Sequence, residues 1–178
     1  MQQKVISYQT ENLLNEKEIS FIDKEIGGNN FPWFFQPKST SEKFPFLSHG
    51  LIARYDHITE EMVINSPHFD FFNQIFKRFC LEHKIKVNKL VRGCINLSYY
   101  DGKYEHGETH IDHTFKHCGF ILYLNNCSGD TLFFKGSKII ERVTPQKGKA
   151  ICYDGSYYHT AAFCKPMEMR KVLIFTFI

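Results

Sequence analysis

From residue 90 onward the apolar residues come in short runs, each closed by turn residues. The runs predict strands at Leu90–Tyr100, Thr109–His113, Phe120–Asn125, Thr131–Phe134, Lys138–Thr144, Lys149–Tyr153, Tyr158–Phe163 and Val172–Ile178. The separators are Asp101-Gly102, Ser128-Gly129-Asp130, Gly136-Ser137, Pro145 to Gly148, and Asp154-Gly155. Before residue 90 the period changes. Leu14, Ile19, Ile22 and Ile26 recur at near-helical spacing and stop at Gly27-Gly28. Phe69, Phe72, Ile75 or Phe76, and Phe79 mark a second helix, with Ser66 as N-cap and Pro67 in the first turn. Between the helices, "PWFF" and "HGLIARYD" predict two short strands around the polar segment Gln36–Pro45.

Eight short strands with no helix among them predict a mainly β protein with flanking helices. The expected core is a jelly roll, or double-stranded β-helix, with the N-terminal helices packed on one sheet. A jelly roll is one long hairpin wrapped up. Folding the strand series at Gly136 pairs the fourth strand with the fifth, third with sixth, second with seventh and first with eighth. Leu122 with Ile151, and Leu97 with Ile174, both centre near residue 136, as antiparallel pairing requires. The length suits one domain over residues 1–178, in which 1–89 supplies helical and strand support and 90–178 the jelly-roll core.

That fold-over gives meaning to the stretch "EHGETHIDHTFKHC". His110 and Asp112 stand two apart on a predicted strand and project to one face. His159 opens the seventh strand, which the fold-over lays beside the second. Two imidazoles and a carboxylate on one face, with open positions opposite, form the facial triad of non-haem Fe(II) oxygenases. A second His-x-Asp, His68-Phe69-Asp70, fails the same test, because helical i and i+2 positions point about 200° apart. Asp70 instead adds negative charge near a helix N-terminus. Parity turns His113 away from the triad, as a surface or supporting residue. His106 and His117 are expected in loops or at strand edges.

Composition narrows the class. A net charge of +3 is far from the clustered charge of a dedicated nucleic-acid binder. There is no run of eighteen apolar residues, and the first eighteen residues lack the apolar core of a signal peptide. A soluble, cytoplasmic protein without a membrane partner is expected. The six cysteines, at 80, 94, 118, 127, 152 and 164, form no Cys-x-x-Cys and read as reduced thiols.

The motifs "HID", "ILYLNNCSGDTLFF", "GKAICYDGSYYH" and "MRKVLIFTF", in this order, resemble the 2-oxoglutarate/Fe(II)-dependent dioxygenases, in particular the prolyl-4-hydroxylase-like branch and its short phage-type members. The similarity covers roughly Val91 to Ile178; "NFPWFF" and "FLSHGL" resemble that family's N-terminal strands more loosely. The resemblance implies Fe(II) held by His110, Asp112 and His159, with 2-oxoglutarate and O2 as cosubstrates and ascorbate as in vitro reductant. It implies Arg170 for the far carboxylate of 2-oxoglutarate, and its parity partners Val172, Ile174 and Thr176 suit an inward face. It implies a tyrosine hydroxyl nearby; Tyr100 fits best, with Tyr99 and Tyr123 open, and Leu122 as the rival inward residue to Tyr123. The implied reaction decarboxylates 2-oxoglutarate to succinate and CO2 while hydroxylating a substrate C–H bond, here a prolyl residue of a protein or peptide. The same chemistry on a nucleobase or small metabolite, and a non-catalytic cupin-like binding jelly roll, are the alternatives.

Overall fold

A computed structural model describes residues 4–39, 43–53, 61–99 and 102–178. The chain runs β1 (Ile6–Thr10), α1 (Glu16–Glu25), β2 (Phe34–Gln36), β3 (Phe46–Ile52), α2 (Phe69–Glu82), β4 (Leu90–Tyr99), β5 (Cys118–Tyr123), β6 (Thr131–Lys135), β7 (Lys138–Val143), β8 (Ala150–Asp154), β9 (Tyr158–Ala161) and β10 (Met169–Phe177). A seven-stranded antiparallel sheet has the order β1-β8-β5-β10-β4-β3-β2, and a three-stranded sheet the order β7-β6-β9. All four predicted pairings are present: β6 with β7, β5 with β8, β4 with β10, and the His110 region with β9. The register differs from the Gly136-centred expectation. Leu122 faces Ala150, one residue off, and Leu97 faces Lys171, three off. The arm from β4 to β5 uses more chain than the arm from β8 to β10, so the centre drifts.

Strand alternation divides the large sheet into two faces. Phe120 and Leu122 of β5, Cys152 of β8, and Leu173, Phe175 and Phe177 of β10 meet the helices in one core. Phe76 of α2 lies 5.1 Å from Phe120, 5.2 Å from Phe175 and 5.2 Å from Phe177, ring centre to ring centre. The opposite residues, Ile121, Tyr123, Ile151, Tyr153 and Val172, meet Phe133 and Val143 of the small sheet in a second core. The helices thus pack on the outer face of the large sheet, and the two sheets enclose the interior.

Local signals explain most helix ends. Asn15 accepts from the Glu18 backbone N–H at 3.0 Å, and Glu18 accepts from the Asn15 N–H at 2.9 Å, a reciprocal cap that starts α1. Arg78 of α2 donates to both Glu18 carboxylate oxygens at 2.7 and 2.8 Å and pins the helices together. Ser66 is not the N-cap of α2, which begins at Phe69 after His68. Its hydroxyl accepts from the His68 N–H at 3.1 Å and bonds His49 Nε2 at 2.7 Å, so it closes the turn before the helix. Strand β1 was absent from the expected elements. It pairs only with β8 at the sheet's edge, and four of its five residues lie at least partly in solvent, so its sequence carries little apolar alternation. Among the described residues no helix is long and apolar enough to cross a membrane.

Candidate metal centre and adjoining cavities

Thr109–His113 is not a strand. Among the described residues it pairs with β9 through the bridge His110↔His159, and His106↔Ala162 precedes it. Ile111 is the segment's one apolar side chain, too little to sustain a strand. The one bridge nevertheless brings the two imidazoles together. His110 N–H donates to His159 O at 3.0 Å, His159 N–H donates to His110 O at 2.9 Å, and the rings lie 4.8 Å apart. Directly opposed residues of such a pair point to the same face. Asp112 follows, and one ligand atom from each of His110, Asp112 and His159 lies within 4.8 Å of the others.

The tautomers suit metal binding. His110 Nδ1 donates to Glu108 O at 3.1 Å, and His159 Nδ1 donates to Tyr157 O at 3.2 Å. A carbonyl only accepts, so each proton sits on Nδ1 and each Nε2 presents a lone pair. Burial pushes His110 below the ordinary imidazole range, and the neighbouring His159 acts in the same direction. Asp112 is fixed from two sides. Arg92 Nη1 of β4 donates to its Oδ1 at 2.5 Å, while Oδ2 lies 3.5 Å from His159 Nε2 and 3.4 Å from the Tyr153 hydroxyl. Burial pushes the Asp112 carboxyl up, but the neighbouring His159 and the charge of Arg92 outweigh it and hold it well below the usual range. Burial, and next the charge of Asp112, push the Tyr153 phenol well above its usual value, so it stays a neutral O–H. Two imidazole nitrogens and one carboxylate oxygen suit a first-row divalent ion such as Fe(II), with positions left open.

A cavity of about 140 Å³ between the sheets runs from the triad to Arg170. Arg170 is 6% exposed and shares the inward face of β10 with Val172 and Ile174, as parity predicted. Its Nε donates to Gly129 O at 2.9 Å, and its Nη2 donates to Thr131 Oγ1 at 2.7 Å. Thr131 Oγ1 also hydrogen-bonds the Tyr123 hydroxyl at 2.7 Å. Tyr123, not Leu122, therefore faces inward, and burial pushes its phenol up to about 12. Tyr100 lies outside the described residues; Tyr99 is partly exposed. A second cavity, of about 530 Å³, opens on the other side of the triad against β2, β3 and β4. It shares Arg92, His110 and Asp112 with the first.

The remaining histidines part company with the site. His68 packs against Phe21, Phe31 and His49 near the start of α2, away from any such cluster. His113 is not a surface residue: it is buried, and its Nε2 bonds Thr176 Oγ1 at 2.8 Å. His117 lies in the loop just before β5, as expected, and is buried against Gly155. Parity turned His113 away from the triad, but did not show that the Phe115 loop packs on both rings. Arg92, Thr131 and Tyr153 were not anticipated. Arg92 had a signal: Arg92, Cys94, Asn96 and Ser98 form a polar stripe along a buried strand.

The comparisons agree with this architecture. A 2OG-Fe(II) oxygenase family oxidoreductase from Burkholderia pseudomallei superposes with a TM-score of 0.65 at 11% identity, covering 92% of this chain and 92% of its own. The prolyl hydroxylase of Trichoplax adhaerens, in complex with a hypoxia-inducible-factor peptide fragment, gives 0.66 at 10% identity over 96% of this chain and 82% of its own. HygX from Streptomyces hygroscopicus, with nickel, 2-oxoglutarate and hygromycin B bound, gives 0.59 at 13% identity over 94% and 80%. The chain has the fold of the 2-oxoglutarate/Fe(II) oxygenases. No family model matches the sequence, and a search of curated proteins finds no match. At these identities the likeness shows the fold alone, and the molecules bound in these neighbours range from a peptide fragment to hygromycin B.

Proposed function

We propose that this chain is a 2-oxoglutarate- and Fe(II)-dependent oxygenase that hydroxylates a prolyl residue in a protein or peptide. The observation that carries the oxygenase is the single cavity joining His110, Asp112 and His159 to the buried Arg170. A metal at one end and an unspent guanidinium edge at the other suit a small dicarboxylate that chelates at one end only. When bound, iron and 2-oxoglutarate supply the oxidising chemistry: O2 gives one oxygen atom to the succinate formed with release of CO2, and the other to the substrate C–H bond. The protein's own groups orient and protect. His110 and His159 offer Nε2, held by their Nδ1–carbonyl hydrogen bonds. Arg92 occupies Asp112 Oδ1 and leaves Oδ2 turned toward His159. Arg170 and Thr131 receive the far carboxylate, and Ile121 and Ile174 wall the cavity against water.

The prolyl substrate rests on the second cavity and its neighbourhood. That cavity lies beside β2, the edge strand of the large sheet, where an extended peptide can pair with the backbone. Phe34 and Phe35 of β2 are 58% and 62% exposed, available to stack on a pyrrolidine ring. Of the other aromatics near the 36–45 segment, Trp33 packs on Phe31, and Phe44 packs on Tyr104 and Phe163 at the rim of the smaller cavity. The test is incubation of proline peptides with the protein, Fe(II), ascorbate and 2-oxoglutarate, followed by mass spectrometry and succinate assay. Succinate release with one oxygen gained on proline, both lost in His110→Ala, is expected. Oxygen appearing only on nucleobases or a free metabolite would end the prolyl assignment and leave the oxygenase. No succinate under any condition would leave a binding jelly roll.

A further inference from the structure

We infer that the larger cavity takes a substrate bearing a carboxylate, held by the Arg92 guanidinium beside the metal centre. This rests on the oxygenase reading of the site and specifies the substrate further. Arg92 lines both cavities, its side chain is only 16% exposed, and its hydrogen bonds to Asp112 and to the Cys94 thiol use two of five N–H donors. The larger cavity has a second cation, Lys38, and Asp112 is the sole acidic residue among the described residues lining either cavity. Apart from His110, the rest of its polar side-chain lining is neutral: Gln36, Ser39, Ser48 and Asn65.

Charge bookkeeping turns this into chemistry. A divalent ion, Asp112, Arg170 and dianionic 2-oxoglutarate together sum to zero. Arg92 then leaves one positive charge in excess, in a site where an uncompensated buried charge is costly. Arg170 cannot share an anion with it. The two lie on the same face of paired strands, and Arg170 stands opposite Ser98, six residues along β4 from Arg92. That is roughly 20 Å between backbones at about 3.3 Å per residue. The excess charge therefore calls for an anion carried by the substrate, and the planar fork of Arg92 suits a carboxylate. In a peptide it is an acidic side chain next to the target proline, or the carboxylate of a terminal proline. In a small molecule it is the substrate's own acid group.

The test uses the protein loaded with Mn(II) and 2-oxoglutarate without O2, so that binding is separated from turnover. The probes are proline-centred hexapeptides carrying Glu or Gln beside the proline, and L-proline with L-prolinamide. These arms distinguish a side-chain carboxylate from a terminal one. In at least one pair the acid is expected to bind about ten-fold tighter than the amide, as for a hydrogen bond to a charged group. Arg92→Gln, at equal metal loading, should abolish the preference, and Arg92→Lys should retain part of it. If Arg92→Gln does not take up metal, Lys38→Gln carries the test and should lower the same preference. Equal binding of acid and amide in every pair overturns the inference, as does a preference that survives these substitutions. Succinate release with Fe(II) and O2 is followed in parallel. Its absence with every probe defeats the oxygenase reading, whereas release driven equally by acids and amides defeats only the carboxylate.

Discussion

Replacing Arg170 with alanine isolates the cosubstrate end of the small cavity from its metal end. The guanidinium spends Nε on Gly129 O and Nη2 on Thr131 Oγ1, which orients the remaining donors into the cavity. A hydrogen bond to a charged group is worth about 1.5–3 kcal/mol, so losing it should weaken 2-oxoglutarate binding roughly ten- to a hundred-and-fifty-fold. Thr131 remains, so binding should weaken rather than vanish. Iron affinity should stay nearly constant, because Arg170 is held by Gly129 and Thr131 at the other end of the cavity from His110, Asp112 and His159. Stability also falls. Gly129 O and Thr131 lose a buried donor, at about 1–3 kcal/mol each. For a chain of this length each kcal/mol lowers the melting temperature by about 2–4 °C. Calorimetric titration of 2-oxoglutarate into the Fe(II) protein without O2, well below that melting temperature, reads the effect. An unchanged dissociation constant in folded Arg170→Ala protein would refute the assignment of the far carboxylate to Arg170.

His110→Ala, Asp112→Ala and His159→Ala should each abolish stoichiometric Fe(II) binding by equilibrium dialysis, whereas His68→Ala should bind iron normally; retention of iron by the Asp112 and His159 variants would sink the triad. Glu18→Gln should destabilise the protein by about 1–2 kcal/mol in urea, since it weakens both a helix cap and a two-point ion pair with a half-exposed arginine. Burial pushes the Glu18 carboxyl up, but the hydrogen bonds from Arg78 and Asn15 outweigh it, so its folded pKa lies below 4.5. Its contribution is therefore fully present above about pH 4.5 and is lost as pH falls through the folded value, so the wild-type advantage over Glu18→Gln should shrink in acid; a pH-independent gap would contradict this. Gly119→Ala would place a methyl carbon 2.1 Å from Tyr153 Cζ and 2.4 Å from its hydroxyl. It should cost about 1–3 kcal/mol by thermal melting and weaken iron binding with it.

Strand order and pairing were legible because turn residues punctuate the second half of the chain, and because a wrapped hairpin leaves few pairings. The site was legible to the same depth. His110 and Asp112 face His159 as the fold-over required, although one bridge rather than a strand does it. Covered surfaces were not legible. His113 lies outside the triad as expected, but whether its ring or that of His117 meets water depends on the 114–117 loop, which has no periodic pattern of its own. The 1–89 region was read less well for a related reason. Strand β1, which was missed, is an edge strand of five residues with too few buried positions to write an alternating pattern, whereas "PWFF" does mark β2.

The polar positions on the inner face of the large sheet locate the site better than the histidines do. Every inward residue of a jelly roll meets the opposing sheet or a cavity. Where the sheets touch, the inward positions are apolar: Ile121 and Ile151, with Val172 and Phe133. On β4 the same face reads Arg92, Cys94, Asn96, Ser98, and on β10 it begins with Arg170. A strand flanked by Val91, Ile95 and Leu97, all buried, cannot be presenting this stripe to bulk solvent. Burying such groups without partners costs several kcal/mol, and here Arg92 bonds Asp112 while Asn96 accepts from the Ser48 hydroxyl at 2.7 Å. Both cavities do lie along it, one toward Arg170 and one toward Arg92, with the triad where they meet. His-x-Asp occurs twice in this chain; the polar inner stripe occurs beside only one of the two.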